Sequence, residues 1–96
     1  MLTEKQKRHL RGLGHGLKPV VLVGNAGFTP AVARELDAAL LRHELVKVRI
    51  SAAGRDQKSR IIQALCETCG AEPVQRIGHV ALLFRRNVEQ PRLELP

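Results

Sequence analysis

Residues 20–30, VVLVGNAGFTP, constrain the fold more than any other stretch of the chain. Val20, Val21 and Val23 are β-branched and stiff at the first side-chain torsion, which favours extended backbone. With Leu22 they make an unbroken apolar run, the pattern of an inner strand. Thr29-Pro30 is a helix start. The threonine hydroxyl caps an amide, and proline at the first helical position gives up only an N–H that has no helical partner. The chain must therefore turn from strand to helix across Gly24, Asn25, Ala26 and Gly27. Such a unit is the first half of a crossover between parallel strands, which is right-handed. A chain of 96 residues has room for one core around it.

The flanking segments extend this pattern. Residues 3–13, TEKQKRHLRGL, read as a helix opened by the capping box Thr3-x-x-Gln6 and closed by Gly12, Gly14, Gly16 and Pro19. Leu10 and Leu13 give it a narrow apolar edge. In the helix after Pro30, Val32, Leu36, Ala39 and Leu40 share a face. Residues 45–51, LVKVRIS, alternate, so Val46, Val48 and Ile50 face a core while Lys47, Arg49 and Ser51 face water. Asp56 is a candidate N-cap for a helix running to Gly70, with Ile61, Ile62, Leu65, Cys66 and Cys69 on its apolar side. Residues 73–78 and 80–86 read as a hairpin around Gly78-His79. The order α-β-α-β-α-β-β implies an α/β fold, a two-layer sandwich of a four-stranded mixed sheet with helices on one face. The other face is expected to be partly open and to carry Lys47 and Arg49. Residues 1–86 form one domain, and 87–96, with Pro91 and Pro96, read as a loose tail.

Charge narrows the function. Lys and Arg number 16 against 9 Asp and Glu, a net charge of +7. The excess is local. Residues 1–19 hold five basic groups and one acid, net +4, and residues 45–55 hold three and none, net +3. A clustered basic excess is the footprint of a polyanion binder, although a basic solvated face would give the same composition. No apolar run approaches the roughly 20 residues of a membrane span. The start MLTEKQKRHL lacks the apolar stretch of a signal peptide. A cytoplasmic protein is expected, with no membrane partner.

GNAG has two readings. It is a tight turn, or it is a seat for a phosphate. Small residues let a phosphate approach backbone N–H groups beside a helix N-terminus, which is electropositive. KH domains clamp a nucleic-acid backbone with a GXXG loop on this principle. No GK[ST] follows, so a nucleotide P-loop is not indicated. Phe28 could stack on a base, but anchoring the loop in the core is the expected role. Cys66 and Cys69 form a CxxC at the end of a helix rather than before one, and no second pair accompanies them. Buried, inert thiols are expected, with no metal and no cofactor. His9, His15, His43 and His79 are not spaced as metal ligands, and no nucleophile–base set is apparent.

The stretch LKPVVLVGNAGFTPAVARELDAALLRHELVKVRI resembles the signature of the CRM domain, the chloroplast RNA splicing and ribosome maturation domain. The chain as a whole resembles its bacterial single-domain YhbY family over about residues 2 to 86. A basic first helix, LKP before the strand, GxxG, the Thr-Pro start and HELVKV carry the likeness together. The resemblance implies the fold of the C-terminal domain of translation initiation factor 3, with strand order 1-2-4-3 and the last strand antiparallel. It also implies RNA binding and association with precursors of the large ribosomal subunit.

The sequence is thus read as a monomeric, non-enzymatic RNA-binding protein acting in ribosome assembly. The expected partner is ribosomal RNA precursor or the pre-ribosomal large subunit, with no small-molecule substrate. Gly24, Asn25, Ala26 and Gly27 would present amides to one phosphate. Lys5, Arg8, Arg11 and Lys18 would hold neighbouring phosphates, and Lys47 and Arg49 would extend the track across the sheet. The alternatives are a module docking an acidic protein, which would not need GNAG, and an RNA-modifying or hydrolytic enzyme, which needs a catalytic set.

Overall fold

The computed structural model describes residues 1–51 and 54–96. Seven elements follow in the expected order: α1 (Glu4–Gly14), β1 (Val21–Val23), α2 (Pro30–His43), β2 (Leu45–Ile50), α3 (Arg55–Cys69), β3 (Glu72–Ile77) and β4 (Val80–Phe84). The sheet order is β1-β2-β4-β3. β1 pairs with β2 in parallel, Val21 against Val48 and Val23 against Ile50. β4 lies antiparallel to both β2 and β3. This is the mixed α/β sheet that the pattern and the resemblance imply.

Two of the three helix starts read from the sequence as capped are so. Gln6 N donates to Thr3 Oγ1 and Thr3 N to the Gln6 side chain, completing the box. Val32 N donates to Thr29 Oγ1 at 3.1 Å, with Pro30 at the first helical position. α3 differs. Its N-cap is Gly54 and not Asp56, which lies in the first turn, at the positive end of the helix.

The main core lies between one sheet face and the two crossover helices. Val21, Val23, Val46, Val48, Ile50, Ala81 and Leu83 meet Leu36 and Leu40 of α2 and Ile62 and Leu65 of α3. The expectation of helices on one face thus holds for α2 and α3. It does not hold for α1. Leu10 of α1 is fully buried on the opposite face, against Leu45, Val74, Leu82 and Phe84. The reason is in β4. VALLF is apolar at every position, so alternation sends Leu82 and Phe84 to the face that α2 and α3 leave bare. Something must cover them, and α1 does. Gly14 allows the close approach, because a Cβ there would meet Leu82 at 2.6 Å.

Residues 87–96, read from the sequence as a loose tail, contain no helix or strand but are tied to this second cluster. Leu93 and Leu95 pack on it. The anchor is Glu44, fully buried between α2 and β2. Its carboxylate accepts from the amides of Asn87 (2.6 Å), Arg92 (2.6 Å) and Leu93 (2.8 Å), with the Arg86 guanidinium at 3.6 Å. Burial works to raise the Glu44 pKa. The three amides and Arg86 outweigh it and hold the carboxyl below its ordinary value.

Candidate nucleic-acid interface

GNAG connects β1 to α2 as a hydrogen-bonded turn, with Gly27 N donating to Gly24 O at 3.0 Å. Neither Asn25 nor Ala26 has a positive φ, which selects type I geometry. The two glycines play different parts. Gly27 is buried at φ 70°, where an L side chain is strained, and an added Cβ would sit 3.6 Å from Ile61 Cδ1. Gly24 is exposed, has no such φ, and would meet nothing within 4 Å of an added Cβ. The fold therefore explains Gly27 and not Gly24.

The donors at this end are loop amides more than helix amides. Pro30 has no N–H, Val32 N is capped by Thr29, and Ala33 N donates to Thr29 O. Among the described residues, the amides of the exposed Asn25 and Ala26 have no intramolecular acceptor. Phe28, expected to anchor the loop, is 37% exposed and belongs to neither core cluster. Its ring stands at the surface beside the turn.

Sheet topology gathers further groups here. Ser51 N donates to Val23 O and Ile50 N to His79 O. The GNAG turn, the end of β2 and the Gly78-His79 turn therefore share one end of the sheet. The N-terminus of α3 lies there too, with Arg55 and Lys58 in its first turns. The sequence reading left out those two cations. Parallel strand–helix units put both helix N-termini at one end of a sheet, and that rule was the signal for them.

The other candidate residues do not form one cluster with GNAG. Arg49 is exposed on the sheet face opposite α2 and α3, opposite Leu22 on β1 and Val80 on β4. Lys47, on the same face, is half-buried, and Leu45, which also points there, is buried under α1. The expected wet face is therefore wet only over its GNAG half. Lys5 and Arg8 are exposed and Arg11 is half-buried on α1, whose N-terminal end is tied to the start of β3 through Leu2 N and Glu72. Lys18 is exposed in the connection to β1, at the far end of that strand. Six residues separate it from Gly24, at most about 20 Å of chain. Among the described residues, none of these six cations has a carboxylate within ion-pair distance; the side-chain pairs formed are Arg85–Asp37 and Arg86–Glu44.

A CRS1/YhbY (CRM) domain model matches residues 2–85, which is the region holding the GNAG turn and all of these cations. The chain belongs to the CRM domain family. A Haemophilus influenzae protein named as an RNA-binding protein is 43% identical over 99% of this chain and 95% of its own length. A Pseudomonas aeruginosa protein, named "probable RNA-binding protein", is 42% identical over 90% of this chain and 83% of its own. The solution structure of a Staphylococcus aureus protein superposes with a TM-score of 0.86 at 35% identity, covering the whole of both chains. The shared fold thus takes in α1 as well as the sheet, and the family match ends before the tail.

Other chemistry is weakly served. Cys66 and Cys69 are buried in the main core, and Cys69 Sγ donates to Ala33 O at 3.4 Å. Burial, then the neighbouring Cys69 and Glu67, push the Cys66 thiol up to about 11, and burial and Asp37 raise Cys69. Such thiols are poor nucleophiles at neutral pH. Among the described residues no group of three or more His, Cys, Asp or Glu is placed to hold a metal, and no helix is long and apolar enough to cross a membrane.

Proposed function

We propose that this protein binds RNA without acting as an enzyme on it, and that it serves ribosome assembly on large-subunit precursor RNA as a cytoplasmic monomer. One phosphate sits on the GNAG turn, held by the Asn25 and Ala26 amides. Arg49 and Lys47 take the strand across the open part of the sheet, and Lys18, Lys5, Arg8 and Arg11 hold more distant phosphates. The observation that carries this reading is Gly24. Neither backbone geometry nor packing requires glycine there. An unobstructed approach to two acceptor-free amides favours it. The absence of ion-pair partners for the six cations supports the same reading, since a phosphate would not have to displace a carboxylate. The names of the relatives point the same way.

The test is Asn25→Asp with Ala26→Asp. Both positions are exposed and neither has a positive φ, so the double variant is expected to keep its melting temperature. Each carboxylate would stand near an incoming phosphate. At an effective dielectric of about 20 and about 5 Å, each repulsion is roughly 3 kcal/mol before screening. Screening and loop movement leave about 1.5–3 kcal/mol in total, so RNA affinity falls about ten- to a hundredfold. Parental affinity at the same salt would remove the seat. Crosslinking in cells, followed by sequencing of the bound RNA, tests the large-subunit assignment. Recovery of unrelated RNA would reject it.

A further inference from the structure

Between the α1–β1 connection, the C-terminal end of α2, the start of β2 and the tail lies a cavity of about 460 Å³. That is within the range of small-ligand pockets. Three large apolar side chains left exposed by folding converge on it: Leu13 (41% exposed), Leu17 (38%) and Val20 (52%). The rim is cationic. Lys18, Arg42, Lys47 and Arg92 line it together with His43, and its described lining contains no carboxylate. Glu44 is adjacent in sequence, but its carboxylate is engaged by the tail amides.

We infer that this cavity is a binding site for an unpaired nucleotide of an RNA strand. The inference rests on the RNA-binding reading above and adds to it a preference for single strands. An aliphatic floor receives the flat, weakly polar face of a base, and the cations around the mouth receive the phosphates on either side of it. A base within a duplex cannot enter, because both of its faces are stacked. An acidic peptide with an apolar anchor is the competing occupant. The rim favours RNA, because Lys18 and Lys47 line the cavity and Arg49, two residues beyond Lys47 on the same face of β2, continues the cationic track toward the GNAG end, where a continuous phosphodiester chain uses all three.

Two measurements on the full chain test this. In the first, methyl NMR follows Leu13, Leu17 and Val20 as a short oligoadenylate, a blunt RNA duplex or polyglutamate is added. Shifts with the oligoadenylate and not with the duplex are expected. In the second, Leu17→Ser with Arg42→Gln is compared with the parent. Both residues are exposed and outside the two core clusters, so the fold is retained. Its affinity for oligoadenylate should fall about tenfold, with duplex affinity changed less than about twofold. If both RNAs bind the variant with parental affinity and the methyls stay unmoved, the cavity is not a nucleotide site and the RNA-binding reading stands. Methyl shifts with polyglutamate alone would make it a peptide groove and overturn the inference. Failure of the parent to bind either RNA would remove both readings.

Discussion

Helix α2 is flanked by residues with positive φ, Gly27 at 70° two residues before its Thr29 N-cap and Glu44 at 62° as its C-cap. The two ends resolve the same difficulty in opposite ways. Before α2, glycine removes the strain, and the adjacent turn leaves the Asn25 and Ala26 amides without an internal acceptor. After α2, a non-glycine residue accepts strain of order 1–3 kcal/mol. Its side chain then satisfies three amides of a segment more than 40 residues away in sequence. One end supplies its own anion. The other leaves room for an anion from outside. The contrast separates a joint that holds the molecule together from a turn whose free amides the proposed phosphate would take.

The sharpest way to break this contrast is Glu44→Ala. The strain remains, because alanine keeps a Cβ, while three buried or half-buried amides and Arg86 lose their acceptor. A loss of about 3 kcal/mol is expected, with the melting temperature lowered by about 15 °C. Hydrogen exchange should show Asn87, Arg92 and Leu93 amides unprotected. RNA affinity measured below the new melting point should change little at the GNAG end. The same joint gives a pH signature. The Glu44 carboxyl is held below its ordinary value in the fold, so its contribution is present above the unfolded pKa of about 4.3 and is lost as pH falls through the lower folded value. Tail amides that stayed protected in the variant would show that the tail is held by Leu93 and Leu95 alone.

A smaller effect is expected from Gly27→Ala. The added Cβ meets Ile61 at an ordinary contact distance, so the penalty is conformational rather than steric. It amounts to about 1–2 kcal/mol. Thermal unfolding should fall by about 5–10 °C. RNA binding should weaken only as far as the turn reshapes. An unchanged melting temperature would mean that the turn can relax out of the left-handed region.

How much of this was legible in the sequence follows the range of the interactions. The Thr3–Gln6 box, the Thr29-Pro30 start and the β2 alternation are local signals, and each was readable. The position of α1 was not read, since Leu10 and Leu13 say that a face is apolar and not which surface receives it. The all-apolar VALLF held that information, because a strand covered on one side only would alternate. The contacts of the tail are hidden for a similar reason. PRLELP looks like linker, and its anchor is a glutamate more than 40 residues earlier in the chain. At the candidate site, GNAG was legible as a motif, whereas the division of labour between its glycines needed φ and neighbouring atoms. Arg42 and Arg92 carry no motif at all and gain meaning only from the cavity they rim.

The least disruptive change is the most discriminating. Gly24→Ala places one methyl where nothing lies within 4 Å, at a φ outside the left-handed region. Folding should be unaffected or slightly favoured, by up to about 1 kcal/mol, because alanine has fewer unfolded conformations to lose. The methyl stands where a phosphate must approach the turn, so RNA affinity should fall about threefold, roughly 0.65 kcal/mol. The sign pattern matters more than the size. The aspartate pair at 25 and 26 acts through a field and would weaken RNA bound anywhere nearby, with an effect that shrinks as salt rises. A methyl carries no field. Its effect requires contact, and it should persist at every salt concentration at which binding is measurable. Parallel titrations of the two variants at low and high salt therefore separate a phosphate seated on the turn from one that only passes it. If Gly24→Ala binds as the parent does while the aspartate pair does not, the phosphate passes nearby, and Gly24 has no part in holding it.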